Sequence, residues 1–427
     1  MTLQLDQAST AQLREWETSL AQEYQKFKAS GLNLDLTRGK PSAEQLDLSD
    51  AMNLILGDDL SNESDTDLRN YGGLDGIPEC KRLFAEMLGV TNEQILIGGN
   101  SSLTLMYFAT LFALNQGFGD LGKSWASEGQ TVKFLAPVPG YDRHFSVCEH
   151  LGIELIPVAL NRDGPDMDAI EALVKADSSI KGIWCVPRFS NPTGTVYSDA
   201  VVERIAQLGK IAGSNFRIFW DNAYAVHSLS DDAPELANIM NLCQQYGTTD
   251  SVYIFGSTSK ITFAGAGVSF AGMSKANLKA FSQHLGMSQI GPDKINQLRH
   301  VRFLKNSEGL KTHMRAHAAI LKPRFDIVLK HLREGLGDAG VASWNEPQGG
   351  YFVSFDTLPG LAKEVVTLAA EAGVKLTPAG ATYPYGKDPD NRNIRIAPSV
   401  PTLDEIDRAM AVFVNCVKLA SVRQRLS

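Results

Sequence analysis

The chain is poor in cysteine and in positive charge, and it has no long apolar run. Five of its 427 residues are cysteines, Cys80, Cys148, Cys185, Cys243 and Cys416, an odd and scattered set without a CxxC pair. That excludes a zinc knuckle or a CxxC redox motif and fits a reducing compartment. Lys and Arg number 40 against 48 Asp and Glu, a formal charge of -8. Nothing in that balance draws the protein to a polyphosphate backbone or an anionic bilayer, so neither nucleic acid nor membrane is expected as a partner. The longest uncharged stretch, 94–119, has as its apolar part only Leu103 to Leu114, too short to span a bilayer and better read as a buried helix. The opening residues, Met1 to Asp6, lack the basic and apolar regions of a signal peptide, so a cytoplasmic location is expected. A nicotinamide fingerprint is missing too: Gly265-Ala266-Gly267 has Phe270 where the third glycine of Gly-x-Gly-x-x-Gly should stand.

What is present is ordinary globular material, 44% hydrophobic and 21% charged, long enough for two or three domains at roughly 150 residues each. Leu13, Trp16, Leu20, Tyr24 and Phe27 recur at steps of three and four, which predicts an amphipathic helix over 10–30 closed by Gly31. Seven apolar, β-rich runs follow, at 94–98, 132–137, 153–160, 180–187, 216–221, 251–256 and 267–273, alternating with helical stretches. That is the texture of βαβ units around a mostly parallel sheet. From about Lys322 the texture becomes that of a smaller α+β unit, with short strands near Tyr351–Phe355, 374–376 and Asn393–Ile396 and a closing helix from Thr402. The expected division is a helix and loop over 1–50 joining the small domain, a large domain over 51–321, and a small domain over 322–427.

Ligands of open α/β sheets bind outside the carboxyl ends of the strands. The residues after the runs are unusually polar here. Gly99-Asn100-Ser101-Ser102 opens a helix, where free backbone N–H groups at a positive terminus suit a phosphate, though a plain N-cap by Asn100 or Ser101 has the same look. The turn after the second run presents Tyr141, and Ser190-Asn191-Pro192-Thr193-Gly194 fixes the Asn191 amide. Asp221 ends a buried run with Tyr224 three residues on, and Lys260 follows Ser257-Thr258-Ser259. A buried carboxylate needs donors or a cation, and burial moves a lysine toward a nucleophilic amine.

Taken together, Asn191-Pro192-Thr193-Gly194, Asp221-x-x-Tyr224 and Ser257-x-Ser259-Lys260, with gaps of 30 and 39 residues, resemble the fold-type-I pyridoxal-phosphate aminotransferases. Supporting matches are Tyr71-Gly72 with Gly76, Leu36 to Pro41, Pro347 to Phe352 and Asn393 to Ala397; the wording of 35–41 and 256–270 is most similar to a bacterial aspartate aminotransferase subgroup. The resemblance covers nearly the whole chain. It implies a large domain with a mostly parallel seven-stranded sheet plus a smaller α+β domain, pyridoxal 5′-phosphate as cofactor, and amino transfer from L-aspartate to 2-oxoglutarate by a ping-pong exchange. An aromatic or alanine-type specificity would share every catalytic position, and a carbon–sulfur lyase or a non-catalytic effector-binding module would share the fold. About thirty residues precede the Arg38 loop, too few for a winged DNA-binding domain.

By the same resemblance, Lys260 would hold the cofactor as a Schiff base and shuttle the substrate α-proton, Asp221 would pair with the ring nitrogen, and Tyr224 and Asn191 would bind the ring oxygen. Tyr141 would cover the ring. Asn100, Ser101, Ser102 and Ser257 would surround the phosphate, with Tyr71 reaching over from the second subunit of a homodimer. Arg395 and Gly39, with Asn191, would receive the substrate α-carboxylate. One departure stands out. The arginine that such enzymes carry about eight residues after the lysine is absent from Ala264-Gly265-Ala266-Gly267-Val268, so another cation is expected at the phosphate, with Lys294 and Arg302 as candidates. Lys294 could instead bind a distal carboxylate, as could Arg38, Lys40, Arg143 or Arg188.

Overall fold

The computed structural model describes residues 5–427. The N-terminal helix, Thr10–Ala29, begins at a capping box: Ser9 Oγ accepts from Gln12 N–H at 3.3 Å while Gln12 Oε1 accepts from Ser9 N–H at 2.9 Å. It stops at Ala29, and Gly31 turns the chain at a φ of +65°.

A short strand, β1 (Leu34–Asp35), comes next. The central strands are β2 (Ile95–Ile97), β3 (Lys133–Val138), β4 (Glu154–Asn161), β5 (Gly164–Pro165), β6 (Ile180–Cys185), β7 (Arg217–Asp221), β8 (Val252–Ser257) and β9 (Ser269–Met273). They form one eight-stranded sheet in the order β2-β9-β8-β7-β6-β3-β4-β5. The run β8-β7-β6-β3-β4 is parallel, whereas β9 opposes both its neighbours and β5 opposes β4. Seven of these strands are the seven apolar runs. The eighth, β5, has two residues and therefore no period to read.

The central strands β6 to β9 are buried along their whole length because both faces are covered, whereas β4, nearer the edge, has exposed positions. On β7, Ile218 and Trp220 enter one core and Phe219 the other; on β8, Val252 and Ile254 are split from Tyr253 and Phe255 in the same way. The first core is closed by helices Pro78–Leu88, Asp199–Ala206 and Lys294–Leu304, the second by Ser102–Asn115, Asp142–His150 and Lys275–Leu285. Truncating a wholly buried ring such as Phe219 to alanine would cost about 3–5 kcal/mol.

The later strands are β10 (Ala342–Trp344), β11 (Val353–Thr357), β12 (Val374–Lys375) and β13 (Asn393–Ile396). An antiparallel sheet β10-β11-β13 packs with the C-terminal helix Leu403–Leu426 in a separate core, which also takes Leu13, Trp16 and Tyr24 of the N-terminal helix; β1 pairs in parallel with β12. Position 321/322 falls inside one 30-residue helix, Ser307–Leu336. Its early turns send Leu310 and Met314 into the first core, and its late turns send Phe325, Val328 and Leu332 into the separate one. Among the described residues no helix is long and apolar enough to cross a membrane.

Candidate active site

Asp221 ends β7 with its carboxylate 2% exposed. His144, in the first turn of the helix that follows β3, donates Nε2–H to Asp221 Oδ2 at 2.9 Å. The imidazole is held in turn, stacked on Trp184 with centroids 4.3 Å apart and met edge-on by Tyr141 at 4.9 Å. Asp221 Oδ1 is buried and has no partner. A lone buried carboxylate oxygen is costly, so this atom waits for a donor.

Beside it lies the turn after β8. Lys260 is half-buried, with Nζ 4.5 Å from the centroid of the Tyr224 ring. Burial and the neighbouring Asp221 charge raise the Tyr224 phenol above its ordinary range, and burial pushes Tyr141 up to about 12 against the opposing pull of Lys260. Both phenols therefore stay protonated at neutral pH and keep an O–H to donate.

The polar turns converge at the start of helix Ser102–Asn115. Ser257 Oγ donates to Ser259 Oγ at 3.1 Å, Ser259 Oγ to the Asn100 carbonyl at 3.0 Å, and the Asn100 amide to the Gly265 carbonyl at 3.3 Å. Ser101 is the N-cap residue, and its side chain makes no capping bond, which leaves the first N–H groups of the helix open. A Cβ on Gly267 would sit 3.0 Å from Thr258 Oγ1 and 3.3 Å from Ser259 N, so glycine lets the two turns close on each other.

Arg395 arrives from β13, 8% exposed. Its Nη1 donates to Asp142 Oδ1 at 3.1 Å and to Asn191 Oδ1 at 3.2 Å, the guanidinium lies 4.9 Å from the Phe352 ring centroid, and Nε is buried without a partner. Gly39 backs the same ring, where a Cβ would fall 2.1 Å from Phe352 Cζ. The sequence pattern thus brings together Lys260, Asp221, Tyr224 and Tyr141 on one side and Arg395, Asn191 and Gly39 on the other, with Asn100, Ser101, Ser102 and Ser257 forming the third wall.

The remaining expected residues lie elsewhere. Tyr71 is 80% exposed. Lys294 is buried and donates to the carbonyls of Asn70 at 2.6 Å and Gly72 at 2.8 Å, on the segment that carries Tyr71. Arg302 is engaged with Asp59 and Ser61, and Arg188 with the Ala225 carbonyl and Ser228. Arg38, Lys40 and Arg143 are exposed. Residues that sequence reading passed over are His144, Asp142 and Phe352. Asp142 and His144 flank the strand-end Tyr141 closely enough to have been read with it, whereas Phe352 gave no signal beyond its motif.

The described residues hold no cluster of three or more His, Cys, Asp and Glu fit for a metal ion. A family model described as aspartate amino-transferase matches residues 8–427. A putative aminotransferase of Mycolicibacterium smegmatis is 48% identical over 406 residues, 94% of each chain. The aspartate aminotransferase of Corynebacterium glutamicum is 47% identical over 403 residues, 94% of this chain and 93% of that one. The crystal structure of an aspartate transaminase from the same organism superposes with a TM-score of 0.96 at 45% identity, covering 100% of both chains. With the family model spanning nearly its whole length and two such relatives beside it, the chain belongs to the aspartate amino-transferase family.

Proposed function

We propose that the protein transfers the amino group of L-aspartate to 2-oxoglutarate, giving oxaloacetate and L-glutamate, with pyridoxal 5′-phosphate as cofactor. The observation that carries the cofactor assignment is the unpartnered, buried Oδ1 of Asp221 beside the Lys260 amine. The residues fit that group. Asp221 would accept from its ring nitrogen, Tyr224 and Asn191 would serve its ring oxygen, and Tyr141 would cover its face. The open N–H groups at Ser101 and Ser102, with Asn100 and the Ser257 hydroxyl, would hold its phosphate. When bound, pyridoxal phosphate supplies an electron sink for charge developing at the substrate α-carbon.

The chain's own groups do the rest. His144 holds the Asp221 carboxylate in place and leaves Oδ1 free. Arg395 binds the substrate α-carboxylate: Nη1 is already committed to Asp142 and Asn191, and this orients the remaining N–H edge, Nε included, toward the incoming anion. Lys260 Nζ takes the proton from the substrate α-carbon and later returns one, base and acid in turn. Aspartate would leave as oxaloacetate, its keto oxygen supplied by water, while its amino group would be retained by the cofactor; 2-oxoglutarate would then enter, take up that group, give its keto oxygen back as water and leave as glutamate.

We also infer a homodimer in the cytoplasm. Segments 71–74 and 286–291 lie side by side, since a Cβ on Gly291 would sit 2.4 Å from the Gly72 carbonyl and one on Gly286 3.6 Å from Leu74 Cδ2. Tyr71, Met287 and Ile290 on them are 80%, 86% and 64% exposed, an apolar face suited to a second copy. Lys294 then acts on the shared site through Tyr71, whose segment it pins. The five cysteines are all buried and unpaired, in keeping with a reducing compartment. The expected division at 50/51 and 321/322 stands as part of this proposal, with helix Ser307–Leu336 as the strut between the two larger units.

The test is the cofactor's absorption spectrum in the pure protein. L-aspartate should convert it within a mixing time and 2-oxoglutarate should restore it. If aspartate leaves the spectrum unchanged and an aromatic amino acid or alanine converts it, the substrate assignment is wrong. Release of ammonia and pyruvate would point to a lyase instead.

A further inference from the structure

We propose that His227, His313, His317 and Tyr351 form a hydrogen-bond mount which grips the main-chain carbonyls of Lys260 and Ile261 and so fixes the point from which the Lys260 amine works. The inference rests on the reading of Lys260 given above, and it assigns a task to side chains that the mechanism leaves unused.

The contacts are specific. His227 Nε2 lies 3.1 Å from the Lys260 carbonyl, and Tyr351 Oη donates to that same oxygen at 3.4 Å. His313 Nε2 and His317 Nε2 lie 2.6 Å and 2.9 Å from the Ile261 carbonyl. A carbonyl oxygen can only accept, so each imidazole must present Nε2–H, and the two acceptor sites of both oxygens are filled. The next link fixes His317 further. Gln45 Oε1 accepts from Ser42 N–H at 3.1 Å, which turns the Gln45 amide so that Nε2 donates to His317 Nδ1 at 3.1 Å and to Tyr351 Oη at 3.0 Å. With Nδ1 accepting, His317 is neutral and of a single tautomer.

Neutrality follows from the surroundings as well. His313 Nε2 and His317 Nε2 are 3.1 Å apart, too close for two imidazolium ions. Burial lowers His227 to about 3 and His317 to about 4, and lowers His313 as well. Gln45, Tyr351, His317 and His227 are each 2% exposed or less. Below the mount, His300 donates Nδ1–H to the Asn296 carbonyl at 2.8 Å and meets Thr258 Oγ1 and Thr262 Oγ1 at 3.1 Å and 2.8 Å. Four of the eight histidines in the chain therefore close on residues 258–262.

Geometry gives the reason. The turn after β8 leaves the sheet and has no ladder to hold it, yet the lysine side chain is long and its amine must meet the Asp221–Tyr224 side from one direction. Gripping two consecutive carbonyls sets the peptide planes on either side of Ile261 and hence the Lys260 Cα. The donors come from the loop after β7, the helix Ser307–Leu336 and the segment before β11, so several separate elements define one point. The four act on main-chain carbonyls rather than on the Lys260 amine, so they are positioning residues.

The experiment compares His317→Leu with His317→Gln, whose amide keeps an N–H near the Nε2 position. In His317→Leu, kcat should fall on the order of ten- to a hundredfold with the KM for the amino acid changed less than about threefold, as expected for a misplaced reacting group. Amide hydrogen exchange of the 258–263 segment, read in the cofactor-free protein, should quicken about tenfold. His317→Gln should recover most of both. Tyr351→Phe, which removes one oxygen and is the safer fold, should show the same two changes at about two- to fivefold. Wild-type kcat in folded His317→Leu or Tyr351→Phe, or faster exchange with kcat unchanged, would overturn the proposal. Lys260→Ala keeps the two readings apart: an inactive Lys260→Ala beside a fully active His317→Leu sinks the mount alone, and an active Lys260→Ala sinks the role of Lys260.

Discussion

Asp221 and Arg395 are both charged, both at strands and both almost wholly buried, yet they are held in different ways. Asp221 takes its partner, His144, from a helix packed on its own sheet, and the imidazole is held between the Trp184 and Tyr141 rings. Arg395 sits on the three-stranded sheet and takes both its partners from the surroundings of the eight-stranded one, Asp142 from the start of a helix and Asn191 from a turn. The first group is held around one sheet and the second bridges two. On the function proposed above, the cofactor side is held by the eight-stranded sheet and its helices alone, whereas the substrate side is built from both sheets.

The most damaging change should come on the rigid side. Asp221→Ala, which leaves His144 facing an apolar group, should lower kcat by about 10³-fold or more, the scale of losing a preorganised electrostatic partner, and steady-state kinetics of the loaded enzyme would read it. Next is Arg395→Lys. It keeps the charge and loses the planar fork, so KM for every amino acid should rise about tenfold to a hundredfold while kcat moves less. A fall in kcat alone would show that the substrate side is no less built-in than the cofactor side. Asp142→Asn keeps an acceptor for Nη1 and removes a negative charge from beside the α-carboxylate site, so KM should fall about two- to fivefold, a small effect because Asp142 is partly exposed.

The gentlest probe is pH. His300 and His317 are pushed down to about 4 by burial, below their ordinary value near 6.5. Between those values the unfolded chain binds protons that the folded one refuses. Stability should therefore be complete above about pH 6.5 and decline toward pH 4, with a slope of up to about 1.4 kcal/mol per pH unit for each histidine. Denaturant titrations across that range would show it. The slope should shrink in a His300→Gln, His317→Gln double variant and keep only the part due to His227 and His313, which burial lowers too; an unchanged slope would place its source elsewhere.

Much of this was legible in the residues. The seven apolar runs became strands, because central strands covered on both faces leave a nearly unbroken apolar signature, and the polar residues after several of them gathered into the site. The start of helix Ser307–Leu336 was not legible: its two halves pack on different cores, and Pro323 inside it looks like a boundary. Lys294 could be recognised as a useful cation, but its targets are main-chain carbonyls, which carry no side-chain signal. The same applies to the histidines on Lys260 and Ile261. They come from positions 50 or more residues away or from another loop, and only the tertiary fold aligns them.

The most direct measurement is to load the protein with pyridoxal phosphate, reduce it with borohydride and map the labelled peptide. The account predicts a single adduct, on Lys260, and none in Lys260→Ala. Labelling of a different lysine, or undiminished labelling in Lys260→Ala, would contradict it.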